Sequence, residues 1–236
     1  MAELVYRPVI GAALGLFKAL DLKIDLRGSE HIPTRGGAVL ASNHISYLDF
    51  ILCGYAALPA KRLVRFMAKE SVFRHKVSGP LMRAMKHIPV DRSQGAQAYS
   101  HALDALRSGE IIGVFPEATI SQSFTLKGFK NGAARLAQEA GVPLIPMSLW
   151  GTQRIWTKGQ PRNFGRDHLP VTLRVGEALE TSAQETPDAL TVRLKERMQE
   201  LLEAAQHAYP DRPKGPQDSW WLPRHLGGTA PEPAGA

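Results

Sequence analysis

Short apolar segments alternate with helical patterns along most of this 236-residue chain, and this alternation constrains its fold more than any other feature. The apolar segments are unbroken, as is typical of strands buried on both faces of a sheet. Parallel strands require long crossover connections, which are usually helices. The pattern therefore predicts an α/β fold with a mainly parallel central sheet flanked by helices. A length of roughly 200–250 residues is common for a single domain of this kind.

Periodicity also predicts the approximate position of each element. The predicted strands cover residues 23–26, 38–42, 63–68, 88–90, 111–115, 142–149 and 171–175. The predicted helices cover residues 49–57, 80–86, 96–107, 130–140 and 187–206. Gly141 directly follows the fourth of these helices, a position typical of a helix C-cap.

Residues 1–22 are predicted to form an amphipathic N-terminal helix, which leaves residues 23–206 as the globular domain. Apolar residues recur near helical spacing from Leu4 to Leu20, with basic residues at both ends. Such a helix either lies in the interface of a membrane or packs on the core of its own domain. No run of about 18 apolar residues is present, so we expect no transmembrane helix, and no small-residue cleavage site indicates a signal peptide.

Residues 207–236 differ in composition from the rest of the chain. Proline and glycine become frequent there, which predicts an extended tail whose final stretch is disordered. Trp220 and Trp221 are exceptions within this tail. They either pack back on the domain or lie at a lipid headgroup layer, and the first alternative is favoured.

Basic residues are concentrated between Lys61 and Arg92, where nine of them are opposed by only two acidic residues. This concentration favours a polyanionic partner: an anionic membrane, a phosphorylated substrate or nucleic acid. A solvated basic face explains the charge equally well. No common nucleic-acid-binding motif accompanies the basic residues, so we expect no nucleic-acid partner.

The single cysteine, Cys53, excludes an internal disulfide and a cysteine-based zinc site. It lies in an apolar run, where a buried small residue is a better interpretation than a nucleophile. A chain with this cysteine content fits a reducing, cytoplasmic setting.

The segment Asn43-His44-Ile45-Ser46-Tyr47-Leu48-Asp49 contains the residues best suited to catalysis. His44 directly follows a predicted strand, at the edge of the sheet where α/β proteins bind ligands. A histidine accepts a proton near neutral pH, and a carboxylate on its far nitrogen, here Asp49, fixes the tautomer. Two structural alternatives stay open: a strand-end histidine without chemistry, and a capping box formed by Ser46 and Asp49.

Two other strand ends carry charged residues. Arg92 follows the strand at 88–90, and Glu117 follows the strand at 111–115. If these ends lie at one edge, they bring together a base, an anion-binding guanidinium and a carboxylate. As alternatives, Arg92 pairs with Asp91, and Glu117 caps the next turn.

Four motifs in this order resemble those of glycerolipid acyltransferases of the 1-acylglycerol-3-phosphate (lysophosphatidate) type, over about residues 9–179. The first motif of that family is Asn-His with an aspartate five residues after the histidine, matched by Asn43, His44 and Asp49. The other matches, in chain order, are Asp91-Arg92, then Phe115-Pro116-Glu117 with Thr119, then Pro146. The run Phe129-Lys130-Asn131-Gly132-Ala133-Ala134 is similar to the Phe-Lys-x-Gly-Ala run that follows in the family. With its tryptophan pair, the chain resembles an actinobacterial branch.

Two residues of the third motif depart from the family pattern. Ala118 replaces the usual glycine, and Ile120 replaces the usual arginine. In the family, the arginines of the second and third motifs are implicated in binding the acceptor's phosphate, which an apolar Ile120 cannot do. Either Lys127 or Lys130 substitutes as a point charge, or the acceptor is a different lysolipid.

The resemblance implies the transfer of a fatty acyl group from acyl-CoA or acyl carrier protein to 1-acylglycerol 3-phosphate, giving phosphatidic acid for phospholipid biosynthesis. It implies that His44 is the general base, that Asp49 assists it, and that neither a metal nor a further cofactor is needed. The substrate-binding residues that it implies are Asn43, Arg92, Phe115, Pro116, Glu117, Thr119, Lys127, Lys130 and Pro146. It also implies peripheral or monotopic attachment to an anionic membrane surface, on the cytoplasmic side of the cell membrane.

Other classes of function explain part of the sequence. A thioesterase or lipid hydrolase uses the same base with water in place of the lipid hydroxyl. A non-catalytic membrane-binding module explains the basic residues 61–92 but leaves the four motifs unexplained. The nucleophile-elbow pattern Gly-x-Ser-x-Gly is absent, so we expect no covalent acyl intermediate.

Overall fold

The structure is a computed structural model that describes residues 2–76, 78–90, 95–182 and 184–233, with side chains from residue 5 onwards. Its α-helices within these ranges are Ala2–Ala19 (α1), Asp49–Ala56 (α2), Glu70–Arg74 (α3), Ser78–Ala84 (α4), Gly95–Arg107 (α5), Gly132–Ala140 (α6) and Pro187–His207 (α7). Its strands are Lys23–Arg27 (β1), Ala38–Ser42 (β2), Val64–Lys69 (β3), Ile88–Val90 (β4), Ile111–Val114 (β5), Leu144–Trp150 (β6) and Pro170–Val175 (β7).

Over the described residues, the strands form one seven-stranded sheet in the order β1-β7-β6-β2-β5-β3-β4. Neighbouring strands are parallel except for β6 and β7, which pair antiparallel. The predicted α/β class with a mainly parallel sheet is therefore confirmed. β7 runs antiparallel to β6 and lies directly beside it. β1 pairs parallel with β7 and forms the edge of the sheet.

Helices cover both faces of the sheet, and each face has its own apolar core. On one face, α1 and α2 pack through residues such as Phe17 and Leu52 against the sheet. On the other face, α5, α6 and α7 pack through residues such as Ala102, Leu136 and Leu194. Strands buried on both sides explain why the apolar segments of the sequence are continuous rather than alternating.

The N-terminal helix α1 packs on the domain. Tyr6, Phe17 and Leu20 are buried, and the Tyr6 hydroxyl donates a hydrogen bond to the Val64 carbonyl at 3.2 Å. The rest of the helix is more open to solvent, and Leu14 and Leu16 are 42% and 38% exposed. Among the described residues, no helix combines the length and the hydropathy needed to cross a bilayer.

The C-terminal tail also packs on the domain, so the prediction of an extended tail is wrong for the described residues up to 233. Short 3-10 helices form at Pro216–Trp221 and Arg224–Leu226. Trp221 is 1% exposed and packs in a cluster with Trp150 and Tyr209. This agrees with the favoured prediction that the tryptophan pair packs back on the domain. Burial of the large apolar surface of these rings stabilises the packing of a proline-rich segment that composition alone predicts to be extended. The predicted disorder of the final stretch concerns residues 234–236, which lie outside the described residues.

His87, just before β4, is a buried histidine that makes the stability of the fold pH-dependent. Its Nδ1 accepts the backbone N–H of Phe66 at 3.0 Å, and burial, helped by the charge of Arg65, lowers its pKa from 6.5 to about 4. Protonation would place an N–H against the N–H of Phe66. The neutral ring therefore stabilises the folded state above pH 6.5, and this contribution is lost as the pH falls from 6.5 towards 4.

We expect the free energy of unfolding to fall by about 3 kcal/mol from this group alone between pH 7 and pH 4. Urea unfolding at a series of pH values measures it. The variant His87→Asn keeps an acceptor for the Phe66 amide but does not titrate in this range, so its stability should depend less steeply on pH. Equal slopes for both proteins between pH 6.5 and pH 4 would contradict the role of His87.

Candidate active site

Three neighbouring strands bring the predicted site residues to one edge of the sheet. In the strand order, β2 lies between β6 and β5 and runs parallel to both. The carboxyl ends of parallel strands form the edge at which α/β proteins bind ligands. His44 follows β2, Glu117 follows β5, and Thr152 follows β6.

His44 and Asp49 are in direct contact. The Nδ1 atom of His44 lies 3.0 Å from Oδ2 of Asp49, the first residue of α2. The carboxylate is fully buried, whereas the His44 side chain keeps 20% of its surface exposed. An ionised carboxylate only accepts hydrogen bonds, so Nδ1 carries the proton and Nε2 is the atom left to accept one. This is the arrangement of a general base with an orienting carboxylate.

Asp49 is held by more than the histidine. Its Oδ2 accepts the backbone N–H groups of Ile45 and Ser46, each at 2.7 Å, and its Oδ1 accepts the Thr152 hydroxyl at 2.8 Å. These donors satisfy a charge that would otherwise be costly to bury. The sequence interpretation missed Thr152, although its position just beyond an apolar strand was a usable signal.

The capping box, the structural alternative for Ser46 and Asp49, forms in part. The Asp49 carboxylate accepts the Ser46 N–H, as in that motif, but the Ser46 hydroxyl accepts the N–H of Leu48 and donates to the carbonyl of Trp156. Asp49 therefore stabilises the start of α2 and contacts His44 at the same time. The structural and the catalytic interpretations of this residue are compatible.

Glu117 joins the two loops that border the histidine. Its Oε1 accepts the backbone N–H of His44 at 2.9 Å, and its Oε2 accepts that of Lys127 at 3.0 Å. The side chain is buried, and this burial raises its pKa to about 7 despite the opposing effect of the two amides. Its contacts are those of a residue that fixes the His44 backbone, and its predicted role in substrate binding stays a prediction.

Asn43 has a similar positioning geometry. Its amide donates to the Leu149 carbonyl at 3.0 Å and accepts the Leu149 N–H at 2.7 Å. The side chain thus continues the pairing of β2 with β6 beyond the end of the strand. Both of its polar groups are used inside the protein, which leaves its predicted contact with substrate untested.

An apolar groove of about 410 Å³ opens beside His44. The Phe115 ring stacks on the imidazole with centroids 4.2 Å apart, and Phe66 stacks behind Phe115 at 5.9 Å. Phe66 can lie there because position 113 is glycine: a Cβ on Gly113 would stand 2.3 Å from its ring. The other lining residues include Tyr47, Phe50, Met67, Val72 and Met82.

Two polar side chains of the third motif region meet next to Ala118, which lines the groove. The Lys127 ammonium donates to the Thr119 hydroxyl at 2.6 Å, and the backbone of Lys127 is tied to Glu117. Lys130 is exposed, and its N–H bonds the Pro116 carbonyl at 3.0 Å. Of the two lysines, Lys127 is therefore the one whose side chain is held in place beside the motif.

Of the predicted substrate-binding residues that the structure describes, Phe115 lines this groove and the others do not. Pro146 is buried within β6, where it pairs with Ala41, and it is not among the residues that line the groove. Asp91 and Arg92 lie outside the described residues. The predicted substrate contacts of Arg92 and Pro146 stay predictions.

The two departures from the family pattern have different consequences. Ala118 has a φ of +60°, the left-handed region that glycine adopts without strain, at a cost of roughly 1–2 kcal/mol for other residues. The backbone shape associated with glycine is thus kept with an alanine. Ile120 is half-buried and offers no charge to an anion.

The described residues support neither a cysteine nucleophile nor a metal site. Burial raises the pKa of the Cys53 thiol, which is 1% exposed, so Cys53 is a core residue as predicted. Among the described residues, no group of three or more His, Cys, Asp or Glu side chains is arranged to hold a metal ion.

Comparison with known proteins identifies the chain as an acyltransferase. A family model described as Acyltransferase matches residues 23–150, and the chain belongs to that family, which confirms the resemblance seen in the four motifs. The 1-acyl-sn-glycerol-3-phosphate acyltransferase of Bacillus subtilis is 30% identical over 200 residues, which cover 78% of this chain and 93% of that protein. A protein of the same name from Limnanthes douglasii is 31% identical over 175 residues, 72% of this chain and 58% of its own.

The fold is also similar to the crystal structure of the 1-acyl-sn-glycerophosphate acyltransferase PlsC from Thermotoga maritima. The TM-score is 0.73 at 23% identity, over 89% of this chain and 83% of that one. At this identity the likeness concerns the fold. The membership in an actinobacterial branch stays a prediction.

Replacing Glu117 by glutamine is expected to lower both stability and acyl transfer. A glutamine offers one oxygen and one amide, so the N–H of either His44 or Lys127 loses its acceptor. A buried unsatisfied donor costs about 1–3 kcal/mol, and the displaced His44 should lower kcat by roughly 10-fold to 100-fold. Thermal unfolding and acyl-transfer rates measure the two effects. Wild-type values in both assays would show that Glu117 does not hold the His44 backbone.

Proposed function

We propose that this protein transfers a fatty acyl group from an acyl thioester to the free hydroxyl of 1-acylglycerol 3-phosphate at a membrane surface, giving phosphatidic acid. The observation that carries the proposal is the contact of His44 with the buried Asp49 at the end of an apolar groove. A base beside an apolar groove suits a reaction between a hydroxyl and a lipid chain. The names of the relatives from Bacillus subtilis and Limnanthes douglasii support the choice of acceptor.

In this mechanism, Nε2 of His44 takes the proton of the acceptor hydroxyl as its oxygen attacks the thioester carbonyl. Asp49 stabilises the imidazolium that forms. The tetrahedral intermediate then collapses, the carbon–sulfur bond breaks, and the leaving thiolate takes the proton from His44. A positioned base contributes about 10²–10⁴-fold to such a reaction.

The apolar groove is suited to an acyl chain. Phe50 and Phe66 line it and also line a second, smaller apolar cavity of about 80 Å³ between α1 and α2. The two spaces thus lie on either side of the Phe50 and Phe66 rings, which contact each other with centroids 6.1 Å apart. Tyr6 and Phe17 on α1 line the second cavity. We assign the acyl chain of the donor to the groove.

The surface formed by Lys127 and Thr119, next to the groove-lining Ala118, is suited to the acceptor's phosphate. Lys127 is fixed beside Thr119, and together they offer an ammonium and a hydroxyl to an anion. This pair supplies a charge near the position where the family has arginine and this chain has Ile120. Lys130 and Arg92 are further basic residues of the predicted phosphate site.

We assign the protein to the surface of an anionic membrane, on its cytoplasmic side, with acyl-CoA or acyl carrier protein as the donor. Basic residues such as Lys69 and Arg83 lie on α3, α4 and the end of β3, on the side of the groove lined by Val72 and Met82. Positive charge near an apolar opening favours binding to anionic lipid.

An acceptor screen with the purified protein tests the proposal. It offers lysophosphatidate, lysophosphatidylglycerol and glycerol 3-phosphate with one labelled acyl-CoA, and repeats the series with acyl carrier protein as the donor. We expect labelled phosphatidic acid from lysophosphatidate. Thioester cleavage without any acylated acceptor would instead support a hydrolase, and no turnover with either donor would reject the proposal.

Lys127→Ala is expected to raise KM for lysophosphatidate by about 10-fold to 100-fold, because a charged hydrogen bond to a phosphate is worth about 1.5–3 kcal/mol. KM for the acyl donor should change little. Steady-state kinetics with each substrate varied in turn measures both values. The matched control is Lys195→Ala, at an exposed position of α7. An unchanged KM for lysophosphatidate would remove Lys127 from the phosphate site.

A further inference from the structure

Four aromatic side chains lie between the His44 groove and the loop that joins β6 and β7. We call this group, which consists of Phe50, Tyr47, Trp156 and Phe164, the aromatic rim. Tyr47 and Phe50 line the groove, Trp156 lies 5.0 Å from Tyr47, and Phe164 lies 6.1 Å from Trp156, between ring centroids. Phe164, Tyr47 and Phe50 are 50%, 42% and 38% exposed. Large aromatic side chains exposed side by side are unusual on a surface that only contacts water.

The aromatic rim is rigidly connected to the catalytic segment. The Trp156 carbonyl accepts both the N–H of Tyr47 at 3.0 Å and the Ser46 hydroxyl at 2.7 Å. The Thr157 hydroxyl donates to the Ile45 carbonyl at 2.6 Å. The loop thus lies at a fixed position relative to His44. A surface that binds the rim therefore has a fixed position relative to this histidine.

The charges around the aromatic rim are mainly positive. The Arg162 guanidinium lies 4.4 Å over the Trp156 ring, and Lys158 and Arg166 are exposed in the same loop. The loop's acid, Asp167, is occupied by a hydrogen bond from Asn163 at 3.0 Å. Aromatic rings interleaved with cations match the headgroup layer of an anionic membrane, where rings lie at the boundary of the acyl chains and cations meet the phosphates.

We propose that the aromatic rim is the surface with which this protein docks on a lipid headgroup layer. Docked in this way, the mouth of the groove faces the layer from which a lysolipid must enter, and His44 lies at a fixed depth behind it. The direction of substrate entry rests on the proposed function. The docking itself does not, because vesicle binding is measured without turnover.

Vesicle binding of single variants tests the proposal. On vesicles of phosphatidylcholine with phosphatidylglycerol, Phe164→Ala should weaken partitioning by roughly 3-fold to 10-fold, since half of a phenylalanine surface is withdrawn from lipid. Arg162→Gln should weaken binding about 5-fold on these vesicles and leave binding to pure phosphatidylcholine unchanged. The matched control is Val192→Ala, which alters a 57% exposed apolar residue on α7. Wild-type partitioning of both rim variants would overturn the proposal.

A reporter at the same position gives an independent reading. The indole introduced by Phe164→Trp should shift its emission to the blue and be quenched by brominated acyl chains when vesicles are added, relative to the wild-type protein. No change in emission would overturn the docking. Self-association in lipid-free buffer that Phe164→Ala abolishes would also overturn it, because the rim would then be an interface between copies of the chain.

Activity on a soluble acceptor separates this proposal from the proposed function. Short-chain lysophosphatidate below its micelle concentration does not require docking, so Phe164→Ala should acylate it at the wild-type rate while losing rate on vesicle-bound acceptor. Equal losses on both acceptors would overturn the docking proposal. If the wild-type protein acylates neither acceptor, the proposed function fails while the vesicle measurements still decide the docking.

Discussion

Replacing His44 by alanine should lower kcat for acyl transfer by about 10²–10⁴-fold, the contribution of a positioned general base. The imidazole is the group beside the groove whose free nitrogen can accept the acceptor's proton, since its other nitrogen is held by Asp49 at 3.0 Å. The side chain is 20% exposed, and the buried Asp49 keeps three other hydrogen-bond donors, so the fold should tolerate its removal. Initial rates with labelled acyl thioester and lysophosphatidate measure the loss.

Two controls make the His44→Ala result specific. Vesicle binding should stay at the wild-type level, because the aromatic rim and the basic residues are unchanged. His101→Ala, at an exposed position of α5, should keep full activity. Turnover of His44→Ala near the wild-type rate would reject the mechanism, whatever the effect on binding.

Asp49→Asn should have the second-largest effect, a loss in kcat on the order of 10²–10⁴-fold. Asparagine has nearly the same shape, and its oxygen can still accept the N–H groups of Ile45 and Ser46, while its amide donates to the Thr152 hydroxyl. What disappears is the negative charge that stabilises the imidazolium and fixes the proton on Nδ1. The rate should therefore fall much more than the stability.

Thr152→Val is the matched control for Asp49→Asn. It removes one hydrogen bond from the carboxylate but leaves its charge and its contact with His44. A loss of about 1 kcal/mol in stability and less than a 10-fold loss in kcat is expected. If Thr152→Val lost as much activity as Asp49→Asn, the geometry of the carboxylate rather than its charge would control the reaction.

Most of the sheet could be predicted from the sequence because its strands are buried on both faces. Continuous apolar segments predicted seven strands, and the strand at Ala38–Ser42 was predicted with its observed bounds. The antiparallel pairing of β6 and β7 could not be predicted, because apolar segments show where strands lie but not in which order or direction they pair. The short helix Glu70–Arg74 was missed because five residues are too few for a periodic signal.

The part of the site that depends on local geometry could be predicted, whereas the part that depends on strand order could not. His44 and Asp49 are five residues apart, so local geometry brings them together whatever the strand order. Thr152, Phe66 and Trp156 reach the site only through the order of the strands, which a single sequence does not reveal. Glu117 lay in a motif, but its contacts with two backbone N–H groups depend on the path of both loops.

The packing of Trp221 and Ala230 has a consequence for how the protein is made. Both lie in the cluster that includes Ile45, the residue next to the catalytic histidine, and Phe124 in the loop of the third motif. A nascent chain that has not yet released residue 230 from the ribosome lacks one wall of this cluster. The His44 segment therefore completes its packing only after residue 230 has emerged, and we expect shorter nascent chains to have lower activity than the full chain.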